Sequence, residues 1–180
     1  MENEAKYRIE KKLYRKYLRW VYDAINKELF NGELPKIPIR TQRLDDDFLA
    51  VFYTRSHIKS FYIGGKSCFH KVEHISIGVN SKMAYLNDIT EFHFRNINSV
   101  FHEMVHEYNY LHGVSDVTGA AGYHNSGFLV AMEEHGGICD RYHEIYGFDG
   151  NLQEDALLRI IEYVEKEEAK AIAQSANEAA

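Results

Sequence analysis

Cysteine and proline are scarce in this chain: two of each occur in 180 residues, Cys68 and Cys139, Pro35 and Pro38. Two isolated thiols cannot build a disulfide framework, and without a C-x-x-C pair there is no start for a four-cysteine zinc module. No proline-rich linker or internal repeat divides the chain, and its length suits one domain with a proper core. No run approaches the ~18 consecutive apolar residues of a membrane span. Met1-Glu2-Asn3-Glu4 has no apolar stretch behind it to make a signal peptide, so the cytoplasm is the expected compartment and no membrane partner is expected. A surplus of positive charge is missing too: the net charge is −6 and the pI about 5.9, which excludes a generic polyanion binder.

Histidine is abundant, with ten in the chain. Three of the central residues, His102, Glu103 and His106, spell H-E-M-V-H. Helical residues four apart lie about 40° from one another around the axis, so both imidazoles reach from one face toward one metal ion. Glu103 can then reach a water on that metal and take its proton, the arrangement of a zinc-dependent hydrolase. In a histidine-rich chain a chance H-x-x-x-H pair is the plainer explanation, and three features count against it. Val100, Met104, Val105 and Leu111 give Ser99 to His112 helical periodicity. Asn96 or Asn98 stands where an N-cap belongs, and Gly113 where a C′ glycine belongs. The glutamate occupies the position a general base needs.

A third ligand has to come from downstream. His112 has metzincin spacing, but Asn109 replaces the turning glycine of that string, and on a continuous helix His112 points about 100° away from the pair. Glu133 or Glu134 would make a thermolysin-type site, yet two adjacent acids before His135-Gly136-Gly137 read more simply as the solvated end of a helix. His124 suits the role best. It lies in a glycine-containing loop just before a helical pattern of Phe128, Leu129 and Met132, which Asn125 or Ser126 can cap. His57, His70, His74, His93, His135 and His143 read as surface or satisfied polar residues. Cys68 beside His70 and His74 imitates a metal cluster, but no second cysteine is near.

The chain predicts an α+β fold. A long amphipathic helix runs from about Asn3 to Phe30, with Ile9, Leu13, Tyr17, Trp20 and Ala24 recurring every three or four residues, and Asn31-Gly32 ends it. Short β-like runs follow at Ile37 to Gln42, Phe48 to Arg55, Ser60 to Ile63 and His74 to Val79, with Gly64-Gly65 between them, and make a small, mostly antiparallel sheet. The H-E-M-V-H helix, the helix after His124 and one from about Leu152 to Lys166 come next. One domain over residues 1–166 and a frayed tail over 167–180 are expected. The sheet's edge strand beside the active helix can hold an extended substrate by β-augmentation.

H-E-M-V-H, then His124 after seventeen intervening residues, with Tyr123, Asn125 and Phe128 around it, resembles the SprT-like zinc metallopeptidases, a group that includes Spartan-type DNA–protein crosslink proteases. Asn26 followed by Leu29-Phe30-Asn31-Gly32-Glu33-Leu34-Pro35 is similar to that family's N-x-x-L-F-x-G-x-L-P segment. The resemblance covers roughly residues 20 to 150. It implies a compact zincin-like domain, one zinc ion per chain on His102, His106 and His124, Glu103 as catalytic base, and a protein or peptide substrate associated with DNA. Asn125 stands where relatives often have glycine, and Cys68 and Cys139 do not form the C-x-x-C pairs of the cysteine-rich ribbon that many relatives carry.

The first helix offers a second theme. Lys6, Arg8, Lys11, Lys12, Arg15, Lys16 and Arg19 face a single acid, Glu10, and Tyr7, Tyr14, Tyr17 and Trp20 are interleaved. A basic face with aromatics can track phosphates and stack on unpaired bases, with Lys11, Lys12, Arg15, Lys16 and Arg19 as contacts. Helical periodicity already accounts for the aromatics as a core face. Near the metal motif, a tyrosine hydroxyl can stabilise an oxyanion. Tyr108 is turned about 140° from the histidine pair, which leaves Tyr123. The competing class is a non-catalytic, zinc-stabilised nucleic-acid-binding or regulatory protein, in which Glu103 would have no task and a fourth protein ligand would close the site.

Overall fold

The computed structural model describes residues 2–42, 44, 49–53, 61–63, 66–68, 74–78, 89–119 and 122–178, with side chains at 12–42, 44, 49–53, 75–76, 89–119 and 122–177. The side chains of Lys6, Tyr7, Arg8 and Lys11, His57, Gly64-Gly65 and the Cys68, His70 and His74 group lie outside these.

The first helix, α1, spans Glu2–Leu29. Its stripe of Tyr14, Tyr17, Leu18, Val21, Tyr22 and Ile25 is buried, the i, i+3, i+4, i+7 spacing of one helical face. Asn31 adopts φ 52° and ends the helix, a conformation asparagine tolerates. Asn26 then ties down the exit: its Nδ2 donates to Leu34 O at 2.8 Å and its Oδ1 accepts from Leu34 N at 3.1 Å. Both atoms of one amide thus replace the ladder that the helix gives up.

Strand β1 (Ile39–Gln42) pairs in parallel with β5 (His74–Gly78), and β2 (Ala50–Tyr53) pairs antiparallel on the other side of β5, giving the order β1-β5-β2. A hairpin of β3 (Phe61–Ile63) and β4 (Lys66–Cys68) makes a separate ladder. The helix α2 covers Ile89–Leu111. It begins ten residues before the expected Ser99, so neither Asn96 nor Asn98 is a cap. Both are buried inside the helix and serve as tertiary joints. Asn96 Oδ1 accepts from the Tyr14 hydroxyl, which fastens α2 to α1. Asn98 Oδ1 accepts from Leu152 N at 2.7 Å.

After α2, a second sheet forms that the sequence pattern did not announce. It contains β6 (Val117–Thr118), β7 (Tyr123–His124), β8 (Gly137–His143) and β9 (Gly147–Leu152) in the order β6-β7-β9-β8. The short helix α3 (Ser126–Glu134) lies between β7 and β8 and is capped by Asn125, whose side chain accepts from Gly127 N. The last helix, α4, runs from Glu154 to Glu178, well past the expected end at Lys166. Ala156, Ile160 and Val164 seat its first half in the core, while residues 172–177 are exposed helix.

One core joins these parts. Ile97, Val100, Phe101, Met104 and Val105 form the buried face of α2 against Leu18, Ile25, Phe30, Phe128, Met132 and Ile160. Each fully buried side chain of this size contributes roughly 1.5–3 kcal/mol. Because that face carries the packing, the face holding residues 102, 103 and 106 is fixed in direction. None of the described helices is long and apolar enough to cross a membrane.

Candidate metal centre

His102 and His106 leave α2 one turn apart, and His124 comes from β7 to meet them. The ring centroids are 5.0 Å (His102 to His106), 4.8 Å (His102 to His124) and 5.0 Å (His106 to His124) apart. One nitrogen from each ring lies within 4.8 Å of the others, so the three histidines form a group that could hold a metal ion. Phe128, fully buried at the start of α3, is the floor beneath them. Its ring stacks on His124 at 4.2 Å and stands 4.7 and 4.9 Å from His102 and His106.

Two of the histidines, His106 and His124, are oriented by an oxygen at hydrogen-bond distance from Nδ1, and the third has a carboxylate nearby. His106 Nδ1 is 2.7 Å from Asp116 Oδ2, His124 Nδ1 donates to Phe148 O at 2.9 Å, and His102 Nδ1 faces Asp149 Oδ1 at 3.7 Å. An acceptor at Nδ1 holds the proton there and leaves Nε2 as the free lone pair, which is how metal-binding histidines are commonly set. The donor chemistry therefore fits a divalent cation that prefers nitrogen. Burial together with the neighbouring His102 and His106 pushes His124 down to about 4, so it is neutral and able to ligate at pH 7. Burial alone would raise both aspartates. The hydrogen bond from His106, that ring's charge and the Asn109 amide hold Asp116 below the usual carboxyl range, and His102 and Arg141 bring Asp149 down to about 2.

Glu103 is buried beside the triad, one residue along from His102. Burial lifts its carboxyl to about 7, against the opposing effects of His102 and a backbone hydrogen bond from Phe52 in β2. A carboxyl poised there can take up and release a proton near neutral pH. All four residues face a cleft of about 1090 Å³, bounded by β2, α2, the loop into β6 and the β8–β9 hairpin.

The other candidates fall elsewhere. His112 is exposed at the end of α2, with its Nδ1 donating to Tyr108 O at 2.8 Å. Gly113 at φ 67° stops the helix as expected, with Gly113 N bonding Tyr110 O and Val114 N bonding Asn109 O. Glu133 and Glu134 are exposed at the end of α3, outside the triad. The Tyr123 hydroxyl meets that of Tyr142, and it is Tyr142, with Tyr110 and Tyr146, that lines the cleft. On α1, Tyr14 and Tyr17 point into the core. Arg15 donates to Thr41 Oγ1, and Arg19 donates to Ile37 O while lying over the Tyr22 ring. Lys12 and Lys16 are exposed, Lys16 with its ammonium 5.1 Å from the centre of Trp20. His93 meets the Tyr17 hydroxyl, and His135 packs on Phe30 with its Nδ1 donating to Leu29 O, so both are structural.

Several contributors were not anticipated. Asn109, noted only as a misfit to another motif, is buried and donates to Asp116 Oδ2 at 3.2 Å. Asp116, Phe148 and Asp149 carry no local signal, because only the folding of β9 beside β7 brings two of them to the histidines. Gly147 permits that approach. It pairs with His124, and a Cβ there would stand 2.1 Å from His124 O. Comparison with protein-family models, curated proteins and solved structures gives no match.

Proposed function

We propose that this chain is a zinc-dependent metallopeptidase of SprT-like character, with His102, His106 and His124 as ligands and Glu103 as general base. The observation that carries the reading is the position of Glu103: buried, adjacent to the triad, facing the same open cleft, and not needed as a ligand. A site kept for structure alone would be expected to be closed by a fourth protein ligand. Among the described residues the metal-holding group consists of the three histidines. An all-imidazole donor set with an open position suits zinc.

Zinc bound here supplies Lewis acidity to a water and to the scissile carbonyl. Glu103 holds the proton taken from the attacking water at its carboxylate and delivers it to the leaving amine nitrogen. The Phe52 N–H fixes the carboxylate's orientation, and Phe128 keeps the underside of the imidazoles dry. Asp116 and Phe148 O hold the rings of His106 and His124 in one tautomer throughout.

The test is cleavage of protein substrates, free and DNA-bound, by zinc-loaded protein beside Glu103→Gln. General acid–base catalysis contributes roughly 10²–10⁴-fold, so the variant should lose at least that much turnover while keeping its zinc. Substantial residual turnover would end the assignment. Adding single-stranded DNA tests recruitment through α1: stimulation that disappears in the double variant Lys12→Ala, Lys16→Ala is the outcome recruitment requires.

A further inference from the structure

The cleft around the triad is walled by apolar side chains that stand exposed among the described residues. Among the described residues fifteen large hydrophobic side chains are exposed, and seven of those line this one cleft. Tyr110, Val114 and Val117 lie beyond His106 at the C-terminal end of α2 and the loop after it. Phe94 lies two helical turns before His102, and Tyr142 and Tyr146 come from the β8–β9 hairpin. From Phe94 to Tyr110 is sixteen residues of helix, about 24 Å at 1.5 Å per residue. An extended chain of about seven residues covers that length at ~3.3 Å each.

The charges in the same wall are already satisfied inside the protein. Arg95 pairs with Glu91 at 2.7 Å, Arg141 with Asp140 at 3.2 Å and Asp149 at 3.3 Å, and Asp116 with His106 at 2.7 Å. Glu103 is bonded to the β2 backbone. A lysine or glutamate side chain entering the cleft would lose hydration and, among the described residues that line it, meet charges already paired, at a cost that an apolar side chain does not incur. The Tyr142 ring is set in place beforehand, its hydroxyl against Tyr123 and its edge on Phe148 at 5.4 Å. An ordered wall loses little entropy when it closes on a ligand.

Resting on the peptidase reading, we infer that the substrate is an extended polypeptide presenting apolar side chains (Leu, Val, Phe or Tyr) on both sides of the scissile bond, selected by Val114, Val117 and Tyr142 toward the C-terminal end of α2 and by Phe94 toward its N-terminal end. Tyr123 is then a positioning residue that acts through Tyr142.

Two measurements test this separately from catalysis. Fluorescence anisotropy of zinc-loaded Glu103→Gln is read with two labelled decapeptides of equal charge, one centred on Leu, Phe and Val, the other on Ser, Thr and Gln. At least tenfold tighter binding of the apolar peptide is expected, and equal affinities would overturn the inference. The preference should fall severalfold in Val117→Asp and in Phe94→Ser, two exposed positions toward opposite ends of α2. Full retention of the preference in both would overturn the assignment of those positions. Zinc-loaded wild type is then given a mixed peptide digest. Glu103-dependent cuts flanked severalfold more often by apolar residues support the inference, and such cuts without enrichment refute it. If no Glu103-dependent cut occurs, the peptidase reading fails while the anisotropy result still decides what the cleft binds.

Discussion

Replacing Asp116 probes whether the triad is set by its surroundings or by the histidines alone. Asp116 is 9% exposed, with Oδ2 placed 2.7 Å from His106 Nδ1 and 3.2 Å from the Asn109 amide. Removing the carboxylate in Asp116→Ala does two things. The His106 ring loses the acceptor that keeps its proton on Nδ1, and it loses the negative charge that makes Nε2 more basic. A hydrogen bond to a charged group contributes about 1.5–3 kcal/mol, and lost ligand-orienting partners typically lower metal affinity about 10–100-fold. The two figures agree, since about 1.4 kcal/mol corresponds to each factor of ten. Asp116→Asn keeps an acceptor oxygen without the charge, so it should fall between wild type and Asp116→Ala. The assay is competition for zinc against a chromophoric chelator, with circular dichroism to show that the fold persists. Asp140→Ala is the control: Asp140 is an exposed aspartate bonded to Arg141 and Asn151, and it should leave the affinity within about twofold, the scale of a surface ion pair. Asp116→Ala binding zinc within threefold of wild type would refute the claim that these oxygens set the ligand tautomers.

The other expectations are quicker to state. His124→Ala should weaken zinc binding by orders of magnitude while His112→Ala leaves it unchanged, as the same chelator competition would show; the reverse ranking would return His112 to the site. Gly147→Ala forces a Cβ to 2.1 Å from His124 O at a residue with φ 78°. It should lower both the melting temperature and zinc affinity, whereas wild-type affinity in this variant would separate β9 from ligand placement. Phe128→Ala removes a fully buried ring and should cost about 3–5 kcal/mol in chemical denaturation, and the loss should not shrink when zinc is saturating, because bound metal stabilises wild type and variant alike.

Local patterns carried a large part of this protein. The recurrence of Ile9, Leu13, Tyr17, Trp20 and Ala24 marks α1 as an amphipathic helix, although Leu13 is exposed and the buried stripe runs through Tyr14, Leu18, Val21, Tyr22 and Ile25; the four-residue step from His102 to His106 fixes two imidazoles on one helical face. Glu103 follows from the same arithmetic, as does the capping of α3 by Asn125. These are properties of neighbours along a helix, where backbone geometry alone relates the residues. Asn96 and Asn98 show where that logic stops. A buried asparagine that bonds another element carries the same letter as a helix cap, and only their bonds to Tyr14 and Leu152 distinguish them. The extension of α4 to Glu178 was hidden by its weak pattern of alanines and acids beyond Lys166.

His124 was legible as a candidate, but its arrival was not. Its distance from His102 depends on β7 lying beside β9, on Gly147 having no side chain, and on Phe128 filling the space below. Phe148 and Asp149 meet the histidines only through that pairing, while Asp116 reaches His106 from the loop after α2; their contacts with the rings span twenty-four, forty-seven and ten positions of chain respectively. Residue identity and helical spacing determined which chemistry this chain can attempt. The packing of a second sheet against α2 decided where its third donor and its orienting oxygens stand, because contacts between distant segments are set by the shape of the whole core and leave no periodic mark in any one of them.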